Sequence, residues 1–519
     1  MLCYFFLPPK LRQNSKREAE VSDIALRDEA PSQTTSQVSP DSKKPEPILK
    51  KIGIPLALIV FAALMAMPTP AGLSYPGQKA LAIFCTALTL WVAGSIPIYL
   101  TSMLAIIALV LTGTVKERVA FETLGFDVIW LMVSAFVLTS AMVKSNLARR
   151  FALWMITSFG GTPRRTLLVL IFINFALAFF VPSTTARASL MVPICVILLE
   201  IYRAVPGQSH FGRLMMLLGV QADAVATSGV MTGTAANMIA VKFIKEQTGT
   251  DIGYMDWLAA AMPSALLTML LTFFVGLKLF DFRGESGFSE GTAKLKEQLS
   301  SLGKLTLAEK KAMAIFVLTL VLWATEDYQE AWFHGFGISV YMTAVIAATL
   351  CLMPGIGLIT WKEANIKWDL MIFAAGAYAA GNALESTKGA QWIIGKLVYG
   401  LGLETMSPAT VYVVVIFMSM YSHMIFTSKT VRTTIMIPAF IALAKTLGMN
   451  PVTLALAASF TLTYTITLPP HSKVNTIYFA TGYFSVLDQL KYGLITCFIG
   501  AVLISLSVFT WFRLLGYGL

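Results

Sequence analysis

The chain carries little charge for its length. Of its 519 residues, 13% are Asp, Glu, Lys or Arg, whereas soluble domains carry about 25%. Apolar residues make up 56% of the chain, and the mean hydropathy is +0.71. Apolar runs long enough to span about 30 Å of hydrocarbon recur along the sequence. These properties exclude a soluble globular protein and predict an all-α polytopic membrane protein in a lipid bilayer.

Histidine and cysteine are scarce as well. The four histidines form no HExxH pattern, and no paired-aspartate or Ser/His/Asp arrangement occurs in the apolar segments. The five cysteines are scattered without metal-ligand spacing, which argues against a disulfide framework. We therefore expect no enzyme activity, no cofactor and no metal site. A membrane-embedded enzyme and a receptor that binds without transport are the alternatives from other classes.

The net charge of +11 does not require a nucleic-acid partner. Lysine and arginine gather on the cytoplasmic side of membrane proteins, which accounts for the excess. Residues 1–51 are rich in Ser, Lys, Glu and Pro and have no signal-peptide cleavage pattern, so we expect a disordered cytoplasmic tail. Residues 282–311 are expected to form a charged cytoplasmic linker. This orientation predicts a multi-pass protein of the cell (inner) membrane with a cytoplasmic N-terminus.

One segment of the sequence occurs twice. Residues 183–193 read STTARASLMVP, and residues 428–438 read SKTVRTTIMIP. Each copy places one arginine, Arg187 or Arg432, inside a long apolar stretch. A charged side chain at the centre of a membrane costs roughly 2.5–3.5 kcal/mol on insertion scales, so it usually faces a cavity or a partner. Two such arginines, each beside a group of hydroxyls, predict an anion-binding site.

The order of apolar segments is also repeated. Each half contains crossings, an amphipathic segment, two apolar arms joined by a hydroxyl-rich tip, an interrupted crossing and a last crossing. Basic residues flank both ends of the first pair of arms, which predicts a re-entrant hairpin. Five crossings separate the two tips, and an odd number places the second hairpin on the opposite face. The sequence therefore predicts an inverted repeat of residues 52–281 and 312–519, with two re-entrant hairpins, two broken transmembrane helices and about 11 crossings. The predicted crossings are 52–68, 77–95, 97–113, 125–143, 256–281, 312–324, 338–354, 368–384 and 489–513, with hairpins at 166–203 and 408–447 and broken crossings at 214–243 and 452–480.

Four polar places make up the candidate substrate site: the two tips and the two breaks. Hydroxyls and helix N-termini at the tips can bind an anion, and unwound backbone at the breaks can face a ligand. The competing interpretations are hydroxyls that merely cap helices, a lysine that snorkels, a small-residue packing seam and an ordinary loop. The candidate substrate-binding residues are Ser183, Thr184, Thr185, Arg187, Thr234, Asn237, Ser428, Lys429, Thr430, Arg432, His471 and Lys473.

The tip–helix–break–helix order, present twice, resembles the divalent anion/sodium symporter family of di- and tricarboxylate carriers. The resemblance covers about residues 52–519. Members carry Ser-Asn-Thr at both tips, which binds sodium and substrate carboxylates, whereas these tips read Ser-Thr-Thr and Ser-Lys-Thr. Because both central asparagines are missing, the chain looks most like the sodium-independent exchangers, such as the 2-oxoglutarate/malate translocators and the bacterial citrate/succinate and tartrate/succinate antiporters. The resemblance implies a homodimer that exchanges dicarboxylates or a tricarboxylate, and sodium-coupled symport is the alternative.

Fixed charge gives an independent reason to expect exchange. A dianion needs accompanying cations in a low-dielectric core, and Arg187, Lys429 and Arg432 would supply permanent ones. Without an anion, moving this charge through the membrane is unfavourable, so the carrier is expected to cross mainly when loaded. Asp223, in a neighbouring apolar stretch, is expected to neutralise one of the cations, although the sequence does not indicate which. The sequence also leaves the particular dicarboxylate open.

Overall fold

Polar caps followed by proline begin several long helices of this computed structural model. Ser74, Thr162, Ser407 and Asn450 each accept a hydrogen bond from a backbone N–H of the following turn, and a proline occupies one of the first two helical positions. Such caps satisfy donors that have no partner inside the helix, and proline tolerates the first turn because it has no N–H to lose. Short sequence signals of this kind therefore set where the chain turns back.

The structure describes residues 48–282, 293–326, 328–329, 337–390, 392–393, 396, 400, 402, 405–424 and 428–518. All regular secondary structure in these ranges is helical. The α-helices are α1 (Ile48–Ala66), α2 (Tyr75–Ala93), α3 (Ile98–Leu111), α4 (Glu117–Glu122), α5 (Asp127–Ser145), α6 (Leu147–Phe159), α7 (Pro163–Phe180), α8 (Thr184–Ile201), α9 (His210–Gly229), α10 (Ala235–Thr248), α11 (Tyr254–Leu279), α12 (Ala293–Ser301), α13 (Leu307–Ala324), α14 (Val340–Leu352), α15 (Trp368–Ser386), α16 (Pro408–Tyr421), α17 (Lys429–Thr446), α18 (Pro451–Thr461), α19 (Lys473–Phe479), α20 (Val486–Phe509) and α21 (Trp511–Leu514). Single 3₁₀ turns lie at Thr123–Gly125, Met231–Gly233, Ser422–Met424 and Pro469–His471.

Helices occupy the apolar segments that the sequence predicted to cross the membrane. Within the described ranges, four helical segments are long and apolar enough to cross a membrane alone: Glu117–Ser145, Tyr254–Leu279 and Val486–Leu514, which lie in predicted crossings, and Pro163–Phe180, which lies in the first arm of the predicted hairpin. An all-helical polytopic membrane protein is therefore confirmed at this level. The amphipathic segment predicted near residues 391–400 lies mostly outside the described residues.

The predicted boundary at residue 312 differs from the structure. Helix α13 begins at Leu307, because Thr306 accepts a hydrogen bond from the Glu309 backbone N–H while the Glu309 carboxylate accepts one from the Thr306 backbone N–H. This capping box satisfies two free donors at the start of the helix. The prediction missed it because hydropathy alone located the start of the crossing.

The two halves of the chain pack in the same way. In the first half α9 packs against α7, α8 and α11, and in the second half α18 packs against α16, α17 and α20. The second arm of each helix pair also reaches across to the other half: α8 packs against α19, and α17 packs against α10. The internal repeat seen in the sequence is therefore a repeat of three-dimensional contacts as well.

Each pair of arms is closed at its base. Thr166, in the first turn of α7, has its Oγ1 3.2 Å from Oη of Tyr202, which directly follows α8. In the second pair, Tyr412 Oη in α16 donates to the backbone oxygen of Asn450, just beyond α17, at 3.5 Å. The chain thus leaves each helix pair close to where it entered. Both pairs are antiparallel hairpins.

Candidate functional site

The second arm of each hairpin begins at a serine that caps its helix. Ser183 Oγ accepts a hydrogen bond from the Ala186 backbone N–H at 3.3 Å, and Ser428 Oγ accepts one from the Val431 backbone N–H at 3.3 Å. The capping interpretation therefore describes both serine hydroxyls. The remaining tip residues, Thr184, Thr185, Lys429 and Thr430, are half-buried.

Arg187 is completely buried and has a counter-ion. Its Nε donates to Asp223 Oδ1 at 2.8 Å. Its Nη2 donates to the backbone oxygen of Asp223 at 3.1 Å and to Thr227 Oγ1. Asp223 is itself fully buried. The structure thus identifies Arg187 as the cation that Asp223 neutralises, which the sequence left open.

Arg432 is equally buried, yet it has no such partner. Its Nη2 donates to the backbone oxygen of Thr461 at 3.4 Å, and its Nε and Nη1 make no hydrogen bond within the described residues. Thr461 stands fourteen residues before Asn475, just as Asp223 stands fourteen residues before Asn237. The second half therefore repeats the arginine and its bond to the backbone but replaces the aspartate with threonine. Among the residues that the structure describes, no carboxylate neutralises the Arg432 guanidinium.

Lys429 joins these groups into one cluster. Its charge interacts with that of Asp223 and with those of Arg187 and Arg432, although it comes from the other hairpin than Arg187. The starts of α8 and α17 are therefore within electrostatic range of one another. We call Arg187, Asp223, Lys429 and Arg432 the charge cluster. Its three cations and one carboxylate, counted over the described residues, leave two uncompensated positive charges.

Asparagine holds both helix breaks open in the same manner. Asn237 Nδ2 donates to the backbone oxygens of Thr227 and Val230 at 2.8 and 2.9 Å. Asn475 makes the same two bonds, at 2.8 and 2.7 Å, to the carbonyls ten and seven residues before it. The bonds tie the helix that follows each break to backbone carbonyls on the other side of the break. Sequence reasoning missed Asn475, although the Thr-to-Asn spacing of ten residues in both breaks was available as a signal.

The other predicted residues at the two breaks differ in how deeply they are buried. Thr234 is half-buried and begins α10 without a capping bond from its side chain. His471 is buried, with Nδ1 3.0 Å from Thr467 Oγ1, whereas Lys473 is exposed at the first position of α19. Asn237 Oδ1 is buried without a hydrogen-bond partner in the described residues. One acceptor at the first break therefore remains unpaired within this part of the chain.

Two cavities reach elements of the candidate site, one at the first break and one at the first hairpin. One, of about 880 Å³, is lined by the starts of α5, α11 and α14 and by residues at the ends of α10 and α13, and it reaches Met231 at the first break. The other, of about 430 Å³, lies between the end of α5, the start of α6, Gln298 of α12 and the tip-proximal part of α8. The residues that line the first cavity are all different from those that line the second.

Comparison with known proteins gives concordant results. The family described as "Sodium:sulfate symporter transmembrane region" matches residues 50–517. A protein of Cupriavidus necator, named only as a membrane protein, is 27% identical over 486 residues, covering 90% of this chain and 93% of that protein. The sodium-dependent dicarboxylate transporter SdcS of Staphylococcus aureus is 26% identical over 484 residues, covering 90% and 92%. Among solved structures, the Neisseria gonorrhoeae antimetabolite efflux pump MtrF has the same fold at 15% identity, with a TM-score of 0.58 over 90% of this chain and 96% of that chain.

Proposed function

The chain belongs to the sodium:sulfate symporter family, and from this premise we propose that it exchanges C4 or C5 dicarboxylates, or a tricarboxylate, across the membrane by alternating access. Family membership and the apolar helices make it a multi-pass membrane transporter rather than an enzyme. The S. aureus relative aligns with this chain over nearly its whole length and is named as a dicarboxylate transporter. This similarity supports the substrate class. The proposed setting is the inner membrane, with a cytoplasmic N-terminus and a homodimer of independent pathways.

The charge cluster is the observation on which the substrate proposal rests. Arg187 and Asp223 neutralise each other through a direct ion pair, so the cations left over are Lys429 and Arg432. A fully buried guanidinium and a half-buried ammonium are unfavourable without compensation in a medium of low dielectric constant. A dianion with two carboxylates brings the cluster to neutrality. This match in charge favours a dicarboxylate over a monocarboxylate or a neutral solute.

The proposed topology is an inverted repeat, with the two hairpins entering from opposite faces and the repeats spanning residues 52–281 and 312–519. Under this topology with about 11 crossings, every helix end that lines the 880 Å³ cavity lies on the outer face. Every element that lines the 430 Å³ cavity lies on the inner face. The two cavities then serve as outer and inner routes toward a midplane site, which is the arrangement that alternating access requires.

Sodium-coupled symport is the second candidate mechanism. It is favoured by Asn237 Oδ1, a buried oxygen at the first break for which the described part of the chain supplies no hydrogen-bond partner, and by the sodium dependence in the name of the S. aureus relative. Exchange is favoured by Lys429, which places a fixed ammonium at the second tip. Fixed cations cannot leave with the substrate, so the empty carrier retains two uncompensated charges and crosses the membrane poorly.

Counterflow in proteoliposomes distinguishes the two mechanisms. Labelled dicarboxylate is expected to enter vesicles that are preloaded with unlabelled dicarboxylate, in potassium or choline buffer without sodium. Empty vesicles are expected to take up little, because the unloaded carrier does not return. Strong uptake into empty vesicles under an inward sodium gradient would instead establish symport. A panel of malate, succinate, fumarate, 2-oxoglutarate, tartrate and citrate in the same assay identifies the preferred substrate.

Single cysteines test the inverted topology. In a variant without the five native cysteines, Pro163→Cys precedes the first hairpin and Thr405→Cys precedes the second. A membrane-impermeant maleimide is expected to label these two positions from opposite faces of oriented membranes. Labelling of both from the same face would rule out the inverted repeat.

A further inference from the structure

Two buried histidines beside the charge cluster are connected through one hydroxyl. His423 Nδ1 lies 2.7 Å from the backbone oxygen of Met420, so this nitrogen must donate. Thr467 Oγ1 lies 2.9 Å from His423 Nε2 and 3.0 Å from His471 Nδ1. A neutral His423 can then only accept at Nε2, so the Thr467 hydroxyl donates to it and accepts from His471 Nδ1–H. We call these three side chains the histidine relay.

This bonding order leaves one nitrogen able to gain a proton. Because Nδ1 of His471 already carries its hydrogen, the vacant lone pair of that ring is on Nε2. Protonation there breaks no bond of the relay, since Nδ1 continues to donate to Thr467. Protonation of His423 would instead require the Thr467 hydroxyl to reverse its direction. The relay is therefore arranged to accept a proton through His471.

The backbone at the second break does not need the relay. Counted back from the two asparagines, Thr467 and His471 correspond to Gly229 and Gly233 in the first half. The residues that cap the helices after the two breaks have nearly the same backbone angles, φ −158° and ψ 152° in the first half and φ −155° and ψ 146° in the second. The first break reaches this conformation with glycines at both positions. The relay is thus an addition specific to the second half.

The charged surroundings of the relay make its proton depend on the bound anion. The 3₁₀ turn that carries His423 packs against α17, which carries Arg432, and the charge of Arg432 opposes a positive charge on either histidine. Cys497 of α20 interacts with Arg432, and Lys473 follows His471 by two residues at the start of α19. Helices α8 and α9, which pack against α19, contribute Arg187 and Asp223, which are paired with each other. A protonated imidazole next to Arg432 is repelled unless an anion adds enough negative charge.

We propose that the histidine relay is a proton-binding site that takes one proton from solvent when a trianion, such as a tricarboxylate, occupies the charge cluster. This inference rests on the proposed function and extends it to a second substrate charge. With a neutral relay, the two uncompensated cations match a dianion; with one proton on the relay, the site matches a trianion. Exchange of a tricarboxylate for a dicarboxylate then moves one proton together with the tricarboxylate and transfers no net charge.

Titration calorimetry on the full-length protein in detergent tests the proposal directly. Citrate and succinate are each titrated at a pH where both are fully ionised, in two buffers that differ in ionisation enthalpy. The difference in heat between buffers counts the protons taken up on binding, and we expect about one for citrate and close to none for succinate. Equal proton counts for the two acids would overturn the proposal. If neither acid binds, the proposed function fails and this inference fails with it.

Substitutions then locate the proton. His471→Gln and His423→Gln are each expected to abolish the proton uptake that accompanies citrate binding. His210→Gln is the matched control, because His210 is an exposed histidine at the first position of α9, and it is expected to retain the uptake. Undiminished uptake in His471→Gln would place the proton elsewhere and reject the relay. If a variant does not fold, the proton counts of the wild-type protein decide the question without it.

Discussion

Arg432→Gln is expected to weaken dicarboxylate binding without lowering the thermal stability of the protein. The wild-type guanidinium is fully buried, and two of its three nitrogens have no hydrogen-bond partner in the described residues, so its removal relieves an uncompensated buried charge. A charge-assisted hydrogen bond to the substrate contributes about 1.5–3 kcal/mol, which corresponds to roughly a 10- to 150-fold loss of affinity. The melting temperature of the detergent-solubilised protein and the affinity for dicarboxylate are the two measurements.

Arg187→Gln is the matched comparison, and it is expected to lower the thermal stability of the protein. It leaves Asp223 as a buried carboxylate without its partner, and breaking a buried ion pair from one side costs about 3–5 kcal/mol. The double substitution Arg187→Gln with Asp223→Asn removes both charges and should recover most of the lost stability. If Arg432→Gln destabilises the protein as strongly as Arg187→Gln, then Arg432 has a structural partner and the charge count of the site is wrong.

Lys429→Asn is expected to convert obligatory exchange into partial net uptake. The substitution leaves Arg432 as the only uncompensated cation of the charge cluster, so the empty carrier has less charge to move through the membrane. The affinity for dianions should fall, while the ratio of net uptake to counterflow should rise. Both quantities come from the same proteoliposome assay, with empty and preloaded vesicles measured in parallel. Added sodium is a further condition, and it is expected to restore part of the binding, since the tip then reads Ser-Asn-Thr.

Two further variants separate charge from shape at this tip. Lys429→Arg keeps the charge and should keep the wild-type ratio of net uptake to counterflow. Thr184→Asn places the same side chain at the corresponding position of the first hairpin without changing the charge, and it should not raise that ratio. If Lys429→Asn binds weakly but still exchanges obligatorily, the ammonium serves only as a ligand and the empty carrier is held back by other charges.

Hydropathy located the helices in the sequence, and the repeated segment at residues 183–193 and 428–438 marked the capped starts of α8 and α17. The sequence alone could not identify the partner of Asp223. The equivalent position in the second half is Thr461, and the segments around the two residues share little identity. The two breaks read TSGVMTGTAAN and TITLPPHSKVN. In each, the last residue, Asn237 or Asn475, makes the hydrogen bonds that hold the break open. The role of His423 was hidden for a different reason: a single histidine in an apolar arm has no pattern until the fold brings Thr467 beside it.

The packing of each hairpin against the opposite half also governs how the chain can be made. Helix α10 is complete at Thr248, but its neighbour α17 begins only at Lys429. At about 5–20 residues per second of synthesis, the ribosome needs on the order of ten seconds or more to supply that neighbour. During this interval α10 lacks its contact with α17. The contact between α8 and α19 forms later still, because α19 begins only at Lys473. A chain interrupted before residue 429 therefore lacks the contacts that α17 makes with α10 and that α19 makes with α8.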